Sequence, residues 1–218
     1  MTPAQVIQQI KDIISLLVRE GLSDHQRLPS SKQVGSRIQV GIPDSPDLSI
    51  ALKNEPYTKI YDELRKAEAY HLRMVDGALI QMLYTFASGH LESHRLAMFP
   101  APALETYDAV PEDYDAEAWF TDIVGEYSVK FPIRFDFSAL DAEHINVDHP
   151  KSHLTLGQYK GCRIPVDAPL TPKRFMRFVL RNFYNPAYFA VDLDAAAQPQ
   201  AFAQTITAEE QRILFVTG

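Results

Sequence analysis

The 218-residue chain is 46% apolar and 22% charged, with a formal net charge of −7; that suits one large domain or two small ones and excludes wholesale disorder, collagen and coiled coil. A single cysteine excludes an internal disulfide framework and a thiolate-rich zinc site. No apolar run nears the roughly 18 residues of a membrane span, and the N-terminus lacks a signal-peptide layout, so a cytoplasmic protein without membrane contact is expected.

Thr2-Pro3, followed by Val6, Ile7, Ile10, Ile13, Ile14 and Leu17, predicts a capped amphipathic helix that ends near Gly21. Residues 22–56 hold four prolines and many Ser and Asp, which reads as loop with short ordered pieces. Tyr61 to Glu68 suits the start of a helix. Two apolar runs, Tyr70–Val75 and Ala78–Phe86, flank Asp76-Gly77, a pair that suits a tight hairpin with positive φ at both turn positions. Ser88-Gly89 marks another turn before a third strand, Leu91–Phe99. An acidic excursion over 100–122 follows, with Asp115–Ile123 as a short helix. Strands are expected at Tyr127–Phe131 and Ile133–Phe137, then a hairpin over Ser152–Val166 turning near Lys160-Gly161. Thr171-Pro172 repeats the cap-plus-proline start, and Asn185-Pro186 stops that helix. Thr207 to Glu210 suits a short terminal helix. The expectation is a single α+β domain over 1–218, with a helix and loop-rich region at 1–56 and a sheet core at 57–218. Its antiparallel sheet, a meander plus hairpins, would be flanked by the N-terminal helix and a basic C-terminal helix.

Charge is segregated along the chain. Ala101 to Val129 carries eight acids and no Lys or Arg, whereas Lys151 to Arg181 carries seven bases against Asp167 alone. A face of one sign attracts an opposite ligand whatever the total charge. Lys160, Lys173, Arg174, Arg177 and Arg181 are therefore candidates for nucleic-acid contact, and a solvated basic helix is the plainer alternative. Tyr159, Phe175, Phe178, Phe183 and Tyr184 lie near these bases and suit stacking or, at helical spacing, a core.

The densest chemistry lies in Ile133-Arg134-Phe135-Asp136-Phe137, His144, His149-Pro150-Lys151-Ser152-His153, and Cys162-Arg163-Ile164-Pro165. The side-chain period of two puts Arg134 and Asp136 on one strand face. With His149, His153 and Arg163 they form a candidate catalytic set that binds phosphate, moves a proton near neutral pH and stabilises an oxyanion. Each residue alone also fits a structural role. His90/His94 and His149/His153 are spaced by four, but neither pair sits in a His-Glu-x-x-His pattern, so no metal and no cofactor is expected. Walker A, Gly-x-Gly-x-x-Gly and Gly-x-Ser-x-Gly patterns do not occur.

The Arg-Phe-Asp strand, His-Pro-x-Ser-His-Leu-x-Leu-Gly, Arg-Ile-Pro and a Pro-x-x-Phe helix ending in Asn-Phe-Tyr run from Ile133 to Tyr184. This stretch resembles a bacterial family catalogued as domain of unknown function 2290. The Arg-Phe-Asp strand with its His-rich sequel is more loosely similar to small bacterial toxins of the TumE type. These resemblances imply a component of a bacterial defence or toxin-type system, binding a protein partner or RNA or single-stranded DNA through its acidic and basic faces. Neither supplies a catalytic residue. The alternative, from the residues themselves, is a metal-independent nuclease in which His153 or His149 is acid or base, Arg134 and Arg163 hold phosphate, and Asp136 orients a histidine.

Overall fold

The computed structural model describes residues 1–43, 55–102, 130–159, 161–193 and 201–217. Helix α1 (Pro3–Arg19) starts where Thr2-Pro3 places it. Thr2 Oγ1 accepts from the Gln5 amide at 3.3 Å and Gln5 Oε1 accepts from the Thr2 amide at 2.8 Å, a reciprocal cap for two otherwise unpaired donors. Its stripe of Val6, Ile10, Ile13, Ile14 and Leu17 is buried. Past the helix, Gly21 takes a φ of +69°, the left-handed conformation that glycine reaches without a Cβ clash.

The region after α1 is more ordered than its composition predicts. It contributes β1 (Ser23–Gln26), β2 (Ser30–Val34) and β3 (Arg37–Gly41). Strands β1 and β2 are mostly exposed and carry no apolar alternation, so the period-two signal is absent from their sequence, whereas β3 alternates Ile38 and buried Val40 with exposed Arg37 and Gln39. Ladder partners complete them: β1 pairs with β4, β3 with β5, and β2 with β3. Helix α2 (Tyr57–Lys66) begins before Tyr61 and buries Ile60, Tyr61 and Leu64.

The expected hairpin joins β4 (Leu72–Met74) to β5 (Leu79–Ala87). Only Gly77 has positive φ there, at +82°. Asp76 is not left-handed, in contrast to the expected turn; its Oδ1 instead accepts from the Ala78 amide at 3.1 Å. The turn to β6 (His90–Phe99) does place both residues in the left-handed region, Ser88 at +50° and Gly89 at +80°. Tyr127–Val129, Asp115–Ile123 and the acidic excursion beyond residue 102 lie outside the described residues, and Lys130-Phe131 is not strand.

Strands β7 (Ile133–Ser138), β8 (Ser152–Leu156) and β9 (Ile164–Pro165) complete an antiparallel sheet in the order β1-β4-β5-β6-β7-β8-β9, with β3 also on β5 and β2 on β3. Helix α3 (Pro172–Phe183) is capped by Thr171, whose Oγ1 accepts from the Arg174 amide at 3.3 Å. Asn185-Pro186 does not leave the chain unstructured: α4 (Asn185–Ala190) starts at once, because proline is tolerated in a first helical turn. A single 3₁₀ turn, Glu210–Arg212, stands where the terminal helix is expected. The α+β class thus holds.

The sheet has two unlike faces. Tyr84, Phe86, Leu96 and Phe135 share one core with α1 and α3, and Phe135 meets Phe175 and Phe178 edge-on at 6.1 and 5.0 Å. In β7, buried Ile133, Phe135 and Phe137 alternate with half-buried Arg134, Asp136 and Ser138. The second set faces away from α1 and α3. No helix among the described residues is long and apolar enough to cross a membrane.

Candidate active site cleft

The face of β5 to β8 opposite α1 and α3 is the floor of a cleft of about 840 Å³; α2 covers part of this same face, where Ile60, Tyr61 and Leu64 pack with Leu79, Ala97 and Phe99. Strand register assembles it. Arg95 lies opposite Asp136, which lies opposite His153, so three strands present Arg, Asp and His in one row. One row further along, Arg134 lies opposite Thr155. His149, Tyr159 and Arg163 come from the connections on either side of β8 and form the walls. All five expected catalytic residues, Arg134, Asp136, His149, His153 and Arg163, therefore line one cleft.

The sequence does not single out Arg95, yet this residue organises the floor. Arg95 Nε donates to Asp136 Oδ1 at 2.8 Å, while Arg134 Nε stands 3.8 Å from Asp136 Oδ2. The readable sign was an arginine among Ser93, Ala97 and Phe99 on one face of a strand otherwise destined for the interior. Asp136 is thereby engaged by two arginines, and it lies opposite His153 without a hydrogen bond to it among those the described residues show. The main chain orients the histidine: His153 Nδ1 is 2.9 Å from the Pro150 carbonyl. Donation to a carbonyl requires the proton on Nδ1, which leaves Nε2 as the basic nitrogen of the neutral ring.

Burial opposes the Asp136 charge, but the Arg95 and Arg134 guanidiniums outweigh it and hold the carboxyl below its usual range. Burial likewise lowers the Arg134 pKa, partly offset by Asp136. Burial pushes the His153 imidazole below its ordinary value, with the Pro150 carbonyl and Asp136 opposing and His149 and Arg163 adding to the effect. His149 is shifted the same way, by burial first and then by Arg163. The His149 and His153 rings meet edge-on, 5.1 Å apart between centroids. His149 is presented by a tight loop in which Ile145 and His149 exchange backbone hydrogen bonds at 3.1 and 2.6 Å. This loop is tied to the chain terminus by His144 Nε2 and Glu210 Oε1 at 3.3 Å. Cys162 lines the wall, where its Sγ accepts from the Leu156 amide at 3.5 Å.

The basic helix does not join this site. Phe175 and Phe178 of α3 pack on Phe135, which points to the side of β7 opposite Arg134 and Asp136. Arg174 and Arg177 are half-buried there and Arg181 is exposed. The Lys173 ammonium is covered, contrary to its expected role as a solvent-facing phosphate contact. Phe175 and Tyr184 are fully buried and unavailable for stacking. Lys160 lies outside the described residues. Of the histidine pair on β6, His94 turns into the core, where its Nε2 accepts from the Leu170 amide at 3.0 Å. Among the described residues no group of three or more His, Cys, Asp or Glu side chains is arranged to hold a metal ion.

Fold and cleft together define an α+β protein with one sheet face covered by α1 and α3 and an opposite face that bears, beside α2, a cationic, histidine-containing pocket. The chain belongs to the family described as Uncharacterized conserved protein (DUF2290), whose profile matches residues 22–217. The match extends well beyond the Ile133–Tyr184 stretch that carries the resemblance in sequence. No curated protein and no solved structure matches the chain.

Proposed function

We propose that the cleft binds a phosphodiester and cleaves RNA by internal transesterification. The observation that carries this reading is a pair of imidazoles 5.1 Å apart in a pocket shared with Arg134 and Arg163. His153, with Nε2 unprotonated, takes the proton of a ribose 2′-hydroxyl. The 2′-oxygen forms a bond to phosphorus, and the bond from phosphorus to the 5′-oxygen breaks. Protonated His149 gives its proton to that leaving oxygen. The products are a 2′,3′-cyclic phosphate and a 5′-hydroxyl. Arg134 and Arg163 stabilise charge on the non-bridging oxygens, and general acid–base transfer of this kind contributes about 10² to 10⁴ in rate. Asp136, committed to two arginines, serves as their anchor. This donor set supplies a base, an acid and an anion hold, so the proposed reaction is metal-independent.

At the level of the cell we propose a component of a bacterial defence or toxin-type system, a reading that rests on the sequence resemblance of the Arg-Phe-Asp strand and its His-rich sequel to TumE-type toxins. A second reading has its own observation: Arg174 and Arg181 lie away from the cleft, on α3, where they suit a protein or nucleic-acid partner.

Purified full-length protein is expected to cleave RNA, with and without a chelator, and to leave DNA intact because DNA lacks the attacking hydroxyl. His149→Ala, at a half-exposed position, is expected to lower kcat/KM by about 10²-fold or more with little change in melting temperature. Because both histidines titrate below their usual value, the optimum of kcat/KM is expected on the acid side of pH 6.5. Wild-type protein that cleaves no RNA under these conditions would remove the catalytic reading and leave the binding one.

A further inference from the structure

We propose that Tyr159 forms a nucleobase-stacking subsite at the mouth of the cleft, which makes single-stranded nucleic acid the preferred substrate class. The inference rests on the reading that the cleft takes a nucleic-acid phosphodiester. Tyr159 lines the cleft yet is 75% exposed, the most exposed aromatic ring on that rim. An exposed ring is ordinary by itself. This one has its edge against the main chain at Gly157. Gly157 has a φ of +66°, and its amide donates to the Pro132 carbonyl at 2.7 Å. A Cβ on Gly157 would stand 3.3 and 3.4 Å from Cδ2 and Cε2 of the Tyr159 ring and 3.6 Å from Phe131 Cβ. The ring edge thus rests on a glycine that has no side chain to displace it, while the rest of the ring stands in solvent. Arg163 lies four residues after Tyr159 and lines the same cleft. A cation that holds a phosphate, beside an aromatic ring, is the minimal unit that binds a nucleotide through both its charge and its base. Stacking needs an unpaired base, because a duplex base has both faces covered by its neighbours. Every base has a π-face, so the subsite selects strand state rather than sequence.

The test is a fluorescence titration of the full chain with a single-stranded deoxyoligonucleotide carrying 2-aminopurine, placed at each position in turn. Such a strand has no 2′-hydroxyl and stays uncleaved. Binding is expected to quench the probe at one position, and the matching duplex is expected to bind more weakly without quenching. Tyr159→Ala should abolish the quenching and weaken binding roughly ten- to a hundredfold, with an unchanged melting temperature because the side chain is solvent-exposed. Tyr159→Phe, which keeps the ring, should recover both relative to the alanine variant. The subsite is overturned by wild-type protein that binds no single strand or binds it unquenched, or by an alanine variant that quenches like the wild type. Tyr159-dependent quenching without any RNA cleavage would keep the subsite and remove the catalytic reading alone.

Discussion

Asp136 shows how a single carboxylate fixes the chemistry of the cleft. It sits mid-strand on the sheet face turned away from α1 and α3, with Arg95 and Arg134 on either side and His153 across the ladder. Two guanidiniums on one partly buried surface repel each other unless a counter-charge lies between them. Asp136→Asn keeps the shape and removes that charge. It is expected to destabilise the fold by about 2 kcal/mol, less than for a fully buried pair because the cleft admits water. RNA cleavage should fall by tenfold or more, since Arg134 loses the contact that orients it. Urea midpoints and kcat/KM measured on the same samples check both parts. An unchanged midpoint would mean that the arginines are held by other contacts.

At the scale of elements, the pairing of β7 with β8 assembles the site, and α3 covers the reverse side. A helix with Arg174, Arg177 and Arg181 reads from sequence as a nucleic-acid face, but its apolar stripe on Phe135 points those cations away from the cleft. The two surfaces are separable by experiment. The double reversal Arg174→Glu with Arg181→Glu is expected to leave the salt dependence of oligonucleotide binding unchanged, because counterion release counts only the cations that meet phosphate. Arg163→Glu should flatten that dependence by about one unit of slope for the lost contact. If the α3 reversal is the one that flattens it, the nucleic-acid contact belongs to the helix.

For the whole molecule, stability should depend on pH through two histidines that lie outside the cleft chemistry. His71 and His94 are buried; His71 Nδ1 accepts from the Met82 amide at 3.2 Å, and His94 Nε2 accepts from the Leu170 amide. Burial pushes each down to about 4 from the ordinary 6.5. Their folded pKa values lie below the unfolded ones, so the unfolded chain takes up protons first as pH falls. The stability associated with neutral imidazoles is complete above about pH 6.5 and is lost between 6.5 and 4, by roughly 2 kcal/mol for each histidine at pH 5. His149 and His153 shift the same way. Asp76 acts in the opposite sense: burial raises its pKa, so the folded state takes that proton first and gains stability at lower pH. Denaturant midpoints from pH 7.5 to pH 5 should therefore decline. A flat profile would place His71 and His94 in contact with solvent.

Sequence alone determined the elements whose signals are local. Thr2-Pro3 and Thr171-Pro172 start helices because a side-chain oxygen and a preset φ act within four residues. Ser88-Gly89 turns a hairpin because its own backbone tolerates positive φ. The alternation of Arg134 and Asp136 with Ile133, Phe135 and Phe137 announces one polar and one apolar sheet face. Tertiary structure decided the rest. Strands β1 and β2 are polar and mostly exposed, and they are extended because β4 and β3 pair with them. Arg95 joins Asp136 through a register between strands far apart in the chain, and no spacing in sequence encodes that register. The same registry brings His153 beside Asp136 yet gives its Nδ1 proton to the Pro150 carbonyl, three residues away, because that acceptor is already fixed at hydrogen-bonding distance. The side of the sheet on which α3 lies is set by where Phe175 and Phe178 find a core, and that burial outweighs any preference of the neighbouring cations for the cleft.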